Sequence, residues 1–150
     1  MKKFNFSLQK VLEIKEQLLK NLKNELNILN QLVRKIEAEI VNLKEKYSYT
    51  NKEFTEKSSV SITIGEMSYY KMFMNNILKH IEKEEEDKSL LNKKIEAKRL
   101  EIINMNMEIS SIEKLRDKEY EKYNEILMKN EEIYIDEFVS NKRMLKQYTF

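Results

Sequence analysis

Few residues in this chain can do chemistry, and their spacing argues against catalysis. His80 is the only histidine and there is no cysteine. A histidine metal site, a thiolate site or a histidine-activated nucleophile therefore has at most one member. A phosphate-cradling loop needs several glycines, and Gly65 stands alone. The run Glu82-Lys83-Glu84-Glu85-Glu86-Asp87 has enough carboxylates for a divalent cation. On a helix these carboxylates point around the whole circumference, which reads as a solvated face. The expectation is no enzyme, no metal, no cofactor and no small-molecule substrate. What remains are surfaces. Tyr47, Tyr49, Phe54, Tyr69, Tyr70, Met72, Phe73 and Met74 would be gathered by a chain reversal, and Tyr120, Tyr123, Tyr134 and Phe138 recur later.

The elements that must position these residues are written in the spacing of apolar side chains. Leu8, Leu12, Lys15, Leu19, Leu22, Leu26, Leu29, Val33, Ile36, Ile40, Leu43, Tyr47, Thr50 and Phe54 alternate steps of three and four, broken in type only by Lys15 and Thr50. That mean period of about 3.5 stays aligned only in a left-handed supercoil. A second stripe runs through Met67, Tyr70, Met74, Ile77, Ile81, Glu84, Lys88, Leu91, Ile95, Lys98, Ile102, Met105, Ile109 and Ile112. In an antiparallel pair, facing positions have residue numbers with a constant sum. Phe54 with Met67, Tyr47 with Met74, Ile40 with Ile81, Leu26 with Ile95 and Leu12 with Ile109 meet that condition, and Leu43 with Ile77 and Leu8 with Ile112 differ from it by one.

The expected fold is thus all-α, a long antiparallel two-helix coiled-coil hairpin with an extended C-terminal helix, forming one coiled-coil domain over residues 1–150. Helix 1 covers about 7–57, with Ser7 as N-cap and Phe6 and Val11 as a hydrophobic staple. The turn covers about 58–65, where hydroxyl and β-branched residues and the one glycine cluster. Thr63 and Glu66 fit a capping box for helix 2, about 66–148. Pairing extends to about Ile112. Beyond it the spacing slips by a stutter through Arg116, Tyr120, Tyr123, Leu127, Asn130, Tyr134 and Phe138. The overhang, 113–150, is read as an aromatic stripe without an intramolecular partner: a docking surface, a frayed helix or a homodimer contact. Glu84 and Lys88 lie in the seam opposite Ile36 and Val33, where unpaired charge would loosen the layers and form a hinge. The exposed rings near the turn are either an interaction site or a thickening of a thin core. Phe4, Val11 and Leu18 form a further column, placed to pack the overhang's root or a partner.

Composition bounds the partners. The 150 residues include no proline, 36% are charged, and 28 basic against 26 acidic residues leave a net charge of +2. Interleaved charge of this kind is a poor nucleic-acid footprint. No apolar run approaches the roughly 20 residues of a membrane span. No apolar segment follows Lys2 and Lys3 as a secretory signal would require. A cytoplasmic protein is the expectation.

The opening Phe4-Asn5-Phe6-Ser7-Leu8-Gln9-Lys10-Val11-Leu12-Glu13-Ile14-Lys15-Glu16 resembles the characteristic start of the flagellar export protein FliJ family, an aromatic pair followed by Leu-Gln-Lys-Val-Leu. The segment from Gly65 to Ile77, with Tyr70-Lys71-Met72-Phe73, resembles that family's second recognisable stretch, and Ile135-Asp136-Glu137-Phe138 also fits. The resemblance spans essentially the whole chain. It implies a stalk-like component of the type III export apparatus, cytoplasmic and peripheral at the inner face of the membrane through protein partners. Those partners would be the export ATPase hexamer, the linker of the membrane export gate and export chaperones. Carried over by position, the gate-binding residues would be Leu43, Tyr47, Phe73, Ile77 and His80, with Glu84 standing where some relatives carry histidine. The ATPase-binding residues would be Phe4, Phe6, Leu8, Gln9, Lys10 and Val11 with Tyr120, Tyr123, Leu127, Tyr134 and Phe138. Competing readings are a non-flagellar injectisome stalk, a nucleic-acid-binding coiled-coil arm, and a dimer of uninterrupted helices that would need 58–65 to be helical.

Overall fold

The computed structural model describes residues 2–148, so the two final residues of the expected overhang lie outside the described part. The fold is an all-α helical hairpin of two helices, α1 (Gln9–Val60, 52 residues) and α2 (Ile64–Tyr148, 85 residues). The chain divides into two compact units: Met1–Leu19 with Asn104–Phe150, and Lys20–Ile103.

The helix ends differ from the expected ones for identifiable reasons. The amide of Gln9 donates to the Phe6 carbonyl at 3.1 Å, and the first helical bond runs from the Leu12 amide to the Leu8 carbonyl at 2.9 Å. Leu8, not Ser7, therefore holds the N-cap position. Phe6 is buried at 5% exposure while Val11 stays exposed, so this is not the expected staple.

At the other end α1 does not stop at Lys57. The Thr55 hydroxyl donates to the Asn51 carbonyl and the Ser59 hydroxyl to the Glu56 carbonyl. Hydroxyls spent on the helix's own carbonyls do not break it. The reversal is confined to Ser61, Ile62 and Thr63. The Thr63 hydroxyl accepts the Glu66 amide at 3.1 Å, and its carbonyl accepts the Met67 amide at 3.0 Å, which makes Thr63 the N-cap of α2. Gly65 sits inside the first turn of α2 without a positive φ, and a Cβ there would meet nothing within 4 Å. The turn is closed by the cap and does not depend on the glycine.

Every position of the first stripe is buried or half-buried, and so is every position of the second except Met67. In the Lys20–Ile103 unit the most buried members are Ile40, Thr50, Tyr70, Ile77 and Ile95. Each fully covered aliphatic side chain contributes about 1.5–3 kcal/mol. Thr50, a polar break in the stripe, turns its hydroxyl onto the Lys46 carbonyl at 2.8 Å and so stays satisfied. Next to the turn, Phe54 makes a ring contact with Tyr70 at 5.6 Å, and Met67 stays 37% exposed. In the other unit Phe6, Leu12 and Ile109 form the core, with Leu12 1% exposed.

The lysines that interrupt the stripes are not unpaired charges. Lys15 reaches Glu108 at 2.6 Å, Lys88 reaches Glu37 at 3.4 Å, and Lys98 reaches Glu25 at 2.7 Å, each from a half-buried seam position. Their aliphatic stems cover the seam while the ammonium groups swing out to a carboxylate of the facing helix. The expectation of unpaired charge at Lys88 is thereby overturned. Glu84 has His80 of its own helix beside it, at 3.5 Å.

Candidate functional site

Among the described residues no group of three or more histidine, cysteine or acidic side chains could hold a metal ion. Two aromatic clusters stand out instead, one in each unit.

The first lies in the Lys20–Ile103 unit. Tyr70 is buried and meets Phe54 and Tyr69 edge-on or tilted, and Tyr69 stacks on Phe73 at 6.2 Å with an interplanar angle of 15°. Two cations from α1 cap these rings, Lys46 at 5.1 Å from the Phe73 centroid and Lys57 at 5.4 Å from that of Tyr70. The Tyr70 hydroxyl, by hydrogen bonding, holds the Lys57 ammonium above the ordinary lysine range. Tyr49, Tyr69 and Met72 remain 61–71% exposed. Of the implied gate-binding residues, Ile77 is buried at 5% exposure, Leu43, Tyr47 and Phe73 are half-buried, and His80 is exposed. Leu43, Tyr47 and Ile77 thus serve the seam, and only Phe73 and His80 offer much side chain to a partner.

The same unit has an open groove of about 460 Å³. Ile28, Leu29 and Ala97 form its apolar lining, and Glu25, Lys94, Lys98 and Glu101 its charged rim. Nothing in the spacing pointed to it. The signal available was Ala97, the one small apolar residue of the lining. Hydrogen bonding to Glu25 raises the Lys98 ammonium above its ordinary range.

The second cluster lies in the unit of Met1–Leu19 and Asn104–Phe150. The Phe4 ring packs edge-on against Tyr120 at 5.2 Å and tilted against Tyr123 at 5.6 Å. The Tyr123 hydroxyl donates to the Lys2 carbonyl at 2.9 Å. The non-helical start of the chain is therefore a strap on α2, and Tyr123 and Leu127 are half-buried. This corrects the expectation that the aromatic stripe beyond Ile112 lacks an intramolecular partner: cover extends to Leu127, and the uncovered stretch is 128–147, where every residue is exposed. The main-chain acceptor at Lys2 has no sequence signature, although the Phe4 column was placed to pack this root. Of the other implied ATPase-binding residues, Phe6 is buried, Leu8 and Gln9 are half-buried, and Lys10, Val11, Tyr120, Tyr134 and Phe138 are exposed.

Among the described residues no helix is long and apolar enough to cross a membrane. Neither a curated protein nor a solved structure matches the chain. The family model described as flagellar FliJ protein matches residues 4–147, taking in the strap, both helices and the uncovered end of α2. The chain belongs to the flagellar FliJ family, and it is a flagellar export-related protein.

Proposed function

We propose that this protein is a stalk-like component of the flagellar type III export apparatus, coupling the export ATPase ring to the linker of the membrane export gate. It works at the inner face of the membrane through these protein partners, and export chaperones are further ligands. The observation that carries this reading is that the two implied sets of residues fall in different compact units. Leu43, Tyr47, Phe73, Ile77 and His80 all fall within Lys20–Ile103, whereas the implied ATPase-binding residues all fall within Met1–Leu19 and Asn104–Phe150. Each surface also has side chains to spare. Tyr69 and Met72 are exposed beside Phe73, and Tyr134 and Phe138 lie on the uncovered end of α2. Exposed aromatics and methionines are the usual anchors of protein interfaces.

Two experiments test it. Phe73→Ala combined with His80→Ala should weaken binding to the gate linker while circular dichroism shows helicity retained; unchanged binding refutes the gate surface. Removing residues 128–150 leaves the strap and its cover intact. It should abolish stimulation of the export ATPase, and full stimulation by the shortened chain refutes the ATPase surface.

A further inference from the structure

Tyr120, Tyr123, Leu127, Asn130, Tyr134 and Phe138 follow one another along α2 in steps of three and four. At 3.6 residues per turn they lie within about 80° of one another and form one face about 27 Å long. The two halves of that face differ. The first is under the strap of residues 2–8. Phe4 meets Tyr120 and Tyr123 at 5.2 and 5.6 Å, the Tyr123 hydroxyl donates to the Lys2 carbonyl, and Tyr123 and Leu127 are half-buried. The second half is bare, with Tyr134 71% and Phe138 58% exposed. The strap's own hold is uneven too. Phe6 is buried, whereas Phe4 is half-buried and Lys2, Lys3 and Asn5 are exposed. Beside Lys2 the cover stops short, leaving an open cavity of about 310 Å³ lined also by Tyr123, Ile126, Leu127 and Asn130.

We propose that the strap is a displaceable cover, and that Phe4 holds the place of an apolar side chain from a partner helix that docks along the whole face. The occupant is an amphipathic helix, because a stripe of this spacing is matched by apolar anchors at i, i+3, i+4 and i+7. Seated on Tyr134 and Phe138, such a helix extends along the same face onto Leu127 and Tyr123, where the strap lies. Residues 2–5 then lift away, while buried Phe6 keeps the root of the strap in place. Only the open form accepts the full helix, so apparent affinity is the intrinsic affinity reduced by the open fraction. The strap sets a threshold for docking. This rests on reading the export ATPase as the ligand of this unit, and it turns Phe4 from a contact into a competitor.

The test is calorimetric titration of the full chain with the export ATPase, with circular dichroism to check that each variant folds. Phe4→Ala removes both ring contacts and should tighten binding roughly tenfold. Tyr123→Phe keeps the ring but removes the donor to Lys2, and should tighten binding about threefold. Phe4→Trp places a tryptophan in a chain that has none. Shielded from acrylamide in the free protein, it should become more quenchable when the ATPase is added. Binding that is unchanged or weaker in Phe4→Ala, or a tryptophan as shielded in the complex as before, overturns the cover and leaves the ATPase reading standing. If neither the wild type nor Phe4→Ala binds, the ATPase reading is refuted and the cover with it.

Discussion

From Tyr70 to Leu127, α2 turns a covered side inward at nearly every turn, whereas from Met128 to Gln147 every residue is exposed. The second stretch is not poorer in apolar side chains. Ile133, Tyr134, Ile135, Phe138, Val139, Met144 and Leu145 are 42–71% exposed there. The difference lies in what covers them. In the first stretch a 3/4 stripe is covered by a flanking segment, while off-stripe Leu78, Leu90, Leu100, Ile103 and Met107 stay exposed. In the second, Ile133-Tyr134-Ile135 and Phe138-Val139 spread around the circumference and no segment covers any of them. A helix that is apolar on several sides gains its stability by being enclosed, and about twenty residues without packing are marginal in water.

The comparison is broken most directly by hydrogen exchange on the free protein. Amides of the seam near Ile95 and Ile109 should be protected by at least about a hundredfold more than those of 128–147; equal protection would mean that the distal stretch is stable without cover. Next in size is Leu12→Ala, which opens a cavity at a site 1% exposed. It should lower stability by about 3 kcal/mol in a denaturant titration, whereas Phe138→Ala, at 58% exposure, should leave the midpoint unchanged. Tyr123→Phe removes the hydroxyl that holds the Lys2 carbonyl and should cost about 1 kcal/mol, with faster proteolysis of the first residues as a second readout. Gly65→Ala should move the other way, raising stability by about 0.5 kcal/mol, because the helical site has room for a methyl group. The smallest effect is electrostatic. Lys98 is raised by its hydrogen bond to Glu25, so the pair's contribution is present below the ordinary lysine range near pH 10.4 and is lost as pH rises above it. A Tm series from pH 9 to 11.5 should fall less steeply in Glu25→Gln than in the wild type.

Much of this was legible because a coiled coil states its packing in its spacing. Seam membership could be assigned residue by residue, including Thr50 and the seam lysines, since burial in a two-helix pair follows from helical phase alone. The Thr63 cap was legible too, because a hydroxyl three residues before an acidic residue is a local signal. The last turn of α1 was not. Whether Ser59 breaks a helix or bonds back to Glu56 depends on a rotamer that the residue type does not set. The candidate surfaces were half legible. The spacing identified Tyr49, Tyr69 and Met72 as outward-facing, but it could not say that Lys46 and Lys57 would sit over the neighbouring rings.

By itself the sequence determined two helices, a hairpin and which side chains, Met67 excepted, are covered along it, because these follow from period and turn position. Only the tertiary structure decided that the first residues fold back over Tyr120 and Tyr123 and that Lys15, Lys88 and Lys98 find carboxylates on the facing helix. These depend on where flexible side chains and a non-helical strap come to rest in space, and no periodicity encodes that.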